Sequence, residues 1–376
     1  MGSVRRSHAA TAAIALALLV LAAAACSDVG GEAGEPARVF IFAIGAGTVE
    51  RSPGGEGRPG EALTLTAVPA EGWRFDRWCG SLAATANPLA FTLGATQTCI
   101  AVFRPSGNGS HYVPGESYFG RNRYIEYIPG DHPLVVSIPH GGELKPAEIP
   151  DRVNGETTQD GFVIELGREV AGAYGALFRG RPHLVLCHLH REKLDANREP
   201  GEGAAGDPFA LLAWNEFQEF ILLAKAAVER GLYLDLHGQS DDEARQQLGY
   251  LLTAQDLRSA DAELDQGALA AGSSIRHLAQ ASAVPFSRLL RGPGSLGALL
   301  ERLGYEAVPS PRWPHPGAVP YYEGGYNIRV HGSRDGGTVD GIQLEATRRV
   351  RFDAVARAHF TGALARALGD FISTWY

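Results

Sequence analysis

The chain has 376 residues, 45% hydrophobic and 20% charged, enough for full globular cores and for about two or three domains. Its formal net charge is -8, and no Lys/Arg-rich run follows the first few residues. That balance argues against nucleic-acid binding.

Arg5 and Arg6 precede an apolar run from Ala9 to Ala25, mostly Ala and Leu. This is the pattern of an export signal and not of a spanning helix. Cys26 follows Ala23-Ala24-Ala25 and resembles the lipidation site of bacterial lipoproteins. The expectation is an exported protein anchored to the membrane through lipid on Cys26, in the periplasm or at the cell surface; cleavage without lipidation, or a retained anchor, is the alternative. Residues 27–37, rich in Gly, Glu and Ala, are expected to form a flexible tether.

Residues 38–104 carry short strand signals at Val39–Ala43, Leu63–Ala67, Trp73–Trp78 and Cys99–Phe103, punctuated by Gly and Pro. A small all-β module is expected, with Trp73 and Trp78 in its core. Cys79 and Cys99 end strand-like segments, and in an oxidising compartment they are expected to form a disulfide. Cys187 lies in an apolar run and reads as a small buried hydrophobe. The pieces Gly47-Thr-Val, Leu63-Thr-Leu-Thr-Ala-Val-Pro69, Gly72-Trp-Arg-Phe-Asp-Arg-Trp78, Asn87-Pro88 and Ala101-Val-Phe103 resemble the bacterial surface repeats related to the internalin B-repeat. That resemblance implies a spacer or adhesive module.

Residues 105–118 read as a linker. From 119 to 376 apolar strands alternate with helical stretches at Gly161–Phe178, Pro208–Arg230, Ala260–Ala283 and Asp353–Trp375. An α/β domain with a largely parallel or mixed sheet follows. Further strands are expected at Leu134–Ile138, Leu184–Leu189, Leu232–Leu236, Gly249–Thr253 and Gly341–Glu345.

Three pieces follow three of these strands: Ile138-Pro-His140-Gly-Gly-Glu143, His190-Arg191-Glu-Lys-Leu-Asp195-Ala-Asn197-Arg198, and Leu234-Asp-Leu-His237-Gly238. Ligands of open α/β sheets bind beyond the carboxyl ends of the strands. His140, Glu143 at +3 and the distant His237 form a three-ligand zinc set that leaves a position for water. Asp235 is placed to orient a ligand from behind, or is a buried hydrogen-bonding carboxylate. Glu345, at a strand's carboxyl end, suits a general base acting on water. Asn197 and Arg198 offer a planar fork for a carboxylate, and Arg191 suits a second carboxylate or a developing oxyanion. The block Tyr322–Arg334 reads as a long functional loop, with Arg329 and His331 as candidate substrate contacts. Gly292-Pro-Gly-Ser-Leu-Gly297 matches a dinucleotide fingerprint on paper, but it follows no clear strand and Pro293 removes an amide donor. No Gly-x-Ser-x-Gly elbow supports a serine hydrolase.

Residues 119–376 resemble the N-formylglutamate amidohydrolase family, within the zinc carboxypeptidase and aspartoacylase-like group. The residues are Ser137-Ile-Pro-His140-Gly-Gly, Pro150-Asp-Arg152, Leu194-Asp-Ala-Asn-Arg198, Leu234-Asp-Leu-His237-Gly and Asp340-Gly-Ile-Gln-Leu-Glu345. The resemblance implies a phosphorylase/hydrolase-like α/β/α fold and zinc-dependent cleavage of an amide next to a carboxylate. It also implies His140, Glu143 and His237 as ligands, Glu345 as base, and Asn197-Arg198 as the carboxylate clamp. The expected partner is a small molecule or peptide bearing a carboxylate. A carboxypeptidase or poly-γ-glutamate hydrolase is the alternative among enzymes, and a non-catalytic ligand-binding surface lipoprotein the alternative outside them.

Overall fold

The computed structural model describes residues 37–55, 57–107, 111–240 and 244–376. The export signal, Cys26 and residues 27–36 of the expected tether lie outside the described residues. The chain divides into two compact units between His111 and Tyr112.

The first unit is all-β. Its strands are β1 (Val39–Ile44), β2 (Gly47–Ser52), β3 (Ala62–Pro69), β4 (Trp73–Gly80), β5 (Leu89–Thr92) and β6 (Gln97–Pro105). They form two three-stranded sheets, ordered β1-β6-β4 and β2-β3-β5. Alternation in β3 buries Leu63, Leu65 and Ala67 while neighbouring side chains stay more exposed. Leu65, Ala67, Trp78, Cys99, Ala101 and Phe103 form the core. The expected Cys79–Cys99 disulfide is absent. Cys79 stands opposite Ile100 and Cys99 opposite Gly80 in the β4–β6 register. Successive residues of a strand point to opposite faces, so this one-residue offset turns the two side chains away from each other. Cys99 instead joins Trp78 in the core, where burial pushes its thiol up to about 12.

The second unit holds an eight-stranded sheet ordered β13-β12-β14-β11-β9-β10-β8-β7. Its strands are β7 (Tyr118–Phe119), β8 (Ile125–Ile128), β9 (Leu134–Ile138), β10 (His183–Cys187), β11 (Gly231–Gly238), β12 (Gln246–Gly249), β13 (Ala307–Val308) and β14 (Val339–Ala346). The central β14-β11-β9-β10 set is parallel, and β8 and β12 flank it antiparallel. The sequence reads these central strands as near-continuous apolar runs because helices cover both faces. Leu134, Val136, Ile138, Leu234 and Leu236 pack with the helices Val163–Phe178 and Ala354–Trp375. Val135, Val185 and Tyr233, of opposite parity, pack with the helix Pro208–Val228. Asp207 caps that helix by accepting the amides of Phe209 and Ala210. The architecture is thus the expected mixed-sheet α/β/α unit preceded by an all-β unit.

Two expectations are corrected. Ala260–Ala283 is not one helix but the short pieces Asp261–Leu264, Ala268–Gly272 and Arg276–Ala281. Gly267, at φ 92, and Gly272 interrupt it, as glycine readily does. The strand expected at Gly249–Thr253 ends at Gly249 instead and begins at Gln246.

Candidate active site

The inward alternation that builds the core changes character at the carboxyl ends of the strands. On the face that packs against the helix Pro208–Val228, apolar positions give way to Ser137, Asp235, His237, Gln343 and Glu345, all buried. Register sets Asp235 beside Ser137 and Gln343, and His237 beside Glu345. Each polar group therefore needs a partner in the same layer.

His140 and His237 are 2% and 3% exposed, and their ring centroids lie 4.9 Å apart. Each ring is fixed from behind by an aspartate. His140 Nε2 donates to Asp195 Oδ1 at 2.7 Å, and His237 Nε2 donates to Asp235 Oδ2 at 2.9 Å. That arrangement leaves both Nδ1 atoms facing one carboxylate. Asp160 Oδ2 lies 3.7 Å from His140 Nδ1 and 3.3 Å from His237 Nδ1. The ligand atoms of His140, Asp160 and His237 all lie within 4.8 Å of one another. Two ligands about 2.0–2.1 Å from a tetrahedral ion stand about 3.3 Å apart, so the spacing is close to what an ion requires. His140 Nδ1 is buried and has no hydrogen-bond partner, an orphan that a metal ion would satisfy.

The expected ligand Glu143 is not in this group. It is exposed. After the two glycines the chain runs beside the segment following β10, with the Leu144 amide donating to His188 O at 2.8 Å and Leu144 bridging Leu189 in parallel. A side chain at +3 meets the first residue's face on a helix, not on an extended run. Asp160 takes the place instead. Its amide donates to His140 O at 2.9 Å, and its Oδ2 accepts the Gly238 amide at 3.0 Å. Asp160 sits in a polar loop before the helix Val163–Phe178, with no periodic signal to single it out.

Electrostatics follow from these contacts. Burial works to raise the Asp160 carboxyl, but the adjacent His140 and His237 rings hold it well below the usual range. Burial would lower His237, yet Asp235 and Asp160 keep it well above an ordinary histidine. Glu345 is 5% exposed, and burial raises its carboxyl to about 7 despite the opposing pull of His237. Its Oε1 accepts Gln343 Nε2 at 2.8 Å.

Asp195 is the hub of the middle motif. It accepts the Asn197 amide at 3.0 Å and Arg191 Nε at 2.9 Å in addition to His140. Arg191 thus orients His140 through Asp195, while its terminal nitrogens face no other acceptor among the described residues. Asn197 Nδ2 lies 3.3 Å from His237 Nε2, and Asn197 Oδ1 accepts the Asn327 amide at 2.8 Å. Asn197 borders a cleft of about 430 Å³ that Arg198, Arg329, Arg334 and Tyr326 also line. Arg198 pairs with Glu202 at 3.3 Å and Arg329 with Glu199 at 2.5 Å, all four being substantially exposed. A larger cavity of about 550 Å³ beside Gly172, Arg179 and Arg181 is lined by none of these residues.

His331 is a correction. The expected loop contains the helix Tyr326–His331, and His331 is 1% exposed. Its Nε2 donates to Gln218 Oε1 at 2.6 Å, and its ring meets Tyr233 at 5.5 Å. Burial and the charge of Lys225 lower it to about 3. It is a buried core residue, outside the group that His140, Asp160 and His237 form.

Residues 38–107 match the divergent InlB B-repeat domain. No curated protein matches the chain. Among solved structures, an N-formylglutamate amidohydrolase from Ralstonia eutropha is 15% identical, with 64% of this chain and 94% of that chain covered, at a TM-score of 0.39. The Agrobacterium tumefaciens gene product Atu2144 is 14% identical over 68% of this chain and 98% of its own, also at 0.39. The N-acetylmuramyl-L-alanine amidase Ami1 from Mycobacterium smegmatis is 12% identical over 64% and 97%, at 0.32. These overlaps are too loose to transfer an activity, and the functional reading rests on the side chains.

Proposed function

We propose that residues 112–376 form a zinc-dependent amidohydrolase that cleaves an amide next to a carboxylate, as in N-formylglutamate and other N-acyl-glutamates. The observation that carries this reading is the convergence of His140 Nδ1, Asp160 Oδ2 and His237 Nδ1 beside the buried Glu345. Two imidazoles and a carboxylate are the donor set of catalytic zinc, which keeps a further position open. When bound, such an ion supplies Lewis acidity toward the scissile carbonyl and toward water.

The chain's own residues supply the rest. Glu345, raised to about 7, takes a proton from the attacking water and returns it to the leaving amine. Arg191, anchored by its Nε on Asp195, directs its terminal nitrogens at the developing oxyanion. Arg198 and Arg329 give the cleft its guanidinium forks for the substrate carboxylate, with Asn197 between them and the ligands. The exposure of that cleft favours a second reading within the same chemistry, a carboxypeptidase or poly-γ-glutamate hydrolase acting on longer chains. We further propose export and lipid anchoring at Cys26, with the β module as a surface spacer.

The test is turnover of a panel of N-acyl glutamates, short γ-glutamyl peptides and C-terminally amidated controls by the zinc-loaded protein. Free amine should be released from the carboxylate-bearing members, and this release should be lost on Glu345→Gln. A zinc-loaded protein that cleaves none of them contradicts the reading and leaves a ligand-binding lipoprotein.

A further inference from the structure

Arg351 follows Glu345 in the helix Arg348–Phe352 and is 1% exposed. Burying a guanidinium is costly unless charge or hydrogen bonds compensate it. Among the described residues no carboxylate stands within ion-pair distance of it, and the charges of Asp160 and Glu345 act on it from farther away. Three backbone carbonyls take its donors instead. Nη1 donates to Gly161 O, Nη2 to Gln239 O at 2.6 Å, and Nε to Ala346 O at 3.1 Å.

Those carbonyls are not scattered. Gly161 follows Asp160, Gln239 stands just past His237-Gly238, and Ala346 follows Glu345. The same segments are also joined to one another. The Gly238 amide donates to Asp160 Oδ2 at 3.0 Å, and the Gln239 amide donates to Ala346 O at 3.1 Å. Gly238 packs so closely that an added Cβ would lie 2.2 Å from Arg351 Cζ. The backbone there has been shaped to the guanidinium.

Resting on the metal-site reading above, we propose that Arg351 is a positioning residue: one buried guanidinium that fixes the backbone segments bearing Asp160, His237 and Glu345 in mutual register. Only arginine fits this task. Its planar fork reaches three acceptors at once, whereas a lysine ammonium is a single point. An apolar side chain would fill the volume without the desolvation cost, so what the cation holds accounts for its presence.

The experiment compares wild type with Arg351→Lys and Arg351→Met in the full chain. Zinc affinity is read by competition titration, Gly238 amide exchange is read on the metal-free protein, and cooperative melting confirms the fold. Outer-layer partners of metal ligands typically contribute about 10–100-fold in affinity. The expected result is a loss of that size in Arg351→Met and a smaller loss in Arg351→Lys. The Gly238 amide should lose protection in both, while amides of β9 and β10 keep theirs. Folded variants with unchanged zinc affinity and unchanged Gly238 protection overturn the proposal. So does failure of both variants to melt cooperatively, which would make Arg351 a determinant of the fold. A wild type that binds no zinc strikes the metal-site reading instead, and the exchange of Gly238 then still decides the role of Arg351.

Discussion

His237 and His331 are both nearly inaccessible, the first within β11 and the second against Tyr233 of β11, yet their surroundings are opposite. His237 has a carboxylate behind it and another in front, and these raise it well above the ordinary histidine range. His331 has an amide on one side, an aromatic ring on the other and the Lys225 ammonium on its carbonyl, and it falls to about 3. What makes a buried histidine a ligand candidate is the acidic pair that orients one nitrogen and confronts the other, not the sequence motif around it.

The largest expected effect comes from removing the base beside His237. Glu345→Gln should lower kcat by about 10²–10⁴-fold while zinc content is retained. The same variant should abolish the acid limb of the rate profile, since a carboxylate base loses activity as pH falls through its pKa. A bound cation stabilises the ionised form, so that limb is expected at or below about 7. Unchanged kcat in Glu345→Gln would remove the proposed base.

A step smaller is the contrast between the two histidines. Asp235→Asn should weaken zinc binding by about 10–100-fold, because His237 loses the carboxylate that fixes its tautomer. His331→Gln should leave zinc affinity intact and reduce stability by about 1–3 kcal/mol through the disturbed buried hydrogen bonds. Equal losses of zinc in both would erase the distinction.

Acid stability sharpens the same comparison. His331 at about 3 lies below the 6.5 of a free histidine, so the unfolded chain binds this proton first. Its contribution is intact above about 6.5 and is lost progressively as pH falls toward 3. His331→Gln should therefore show a shallower decline in denaturation midpoint across that window than wild type. An identical slope would mean that His331 does not titrate there.

The smallest effect concerns the first unit. With Cys79 and Cys99 on opposite faces, reductant should leave its melting temperature unchanged. A drop on reduction would restore the disulfide.

The fold was legible where burial is uniform. Leu134–Ile138, Leu232–Leu236 and Gly341–Glu345 announce themselves because parallel strands covered on both faces carry apolar runs. The edge of the sheet was not. Gln246 and Gln247 look like loop residues, but they are buried and bonded to Thr347, Pro320 and Tyr322. In the site, His140, His237 and Glu345 stood out because each ends a strand. Asp160 did not, because it reaches the rim from a loop whose only constraint is tertiary. Glu143 drew attention by its +3 spacing from His140 and His331 by its place in a polar, glycine-rich block, and neither lies where the ligand atoms converge.

In the proposed metal set the third ligand is Asp160 and not Glu143. Zinc stoichiometry by mass spectrometry on wild type, Asp160→Ala and Glu143→Gln tests it most directly. Wild type and Glu143→Gln should carry about one zinc per chain, and Asp160→Ala none. Zinc retained by Asp160→Ala and lost from Glu143→Gln would contradict it.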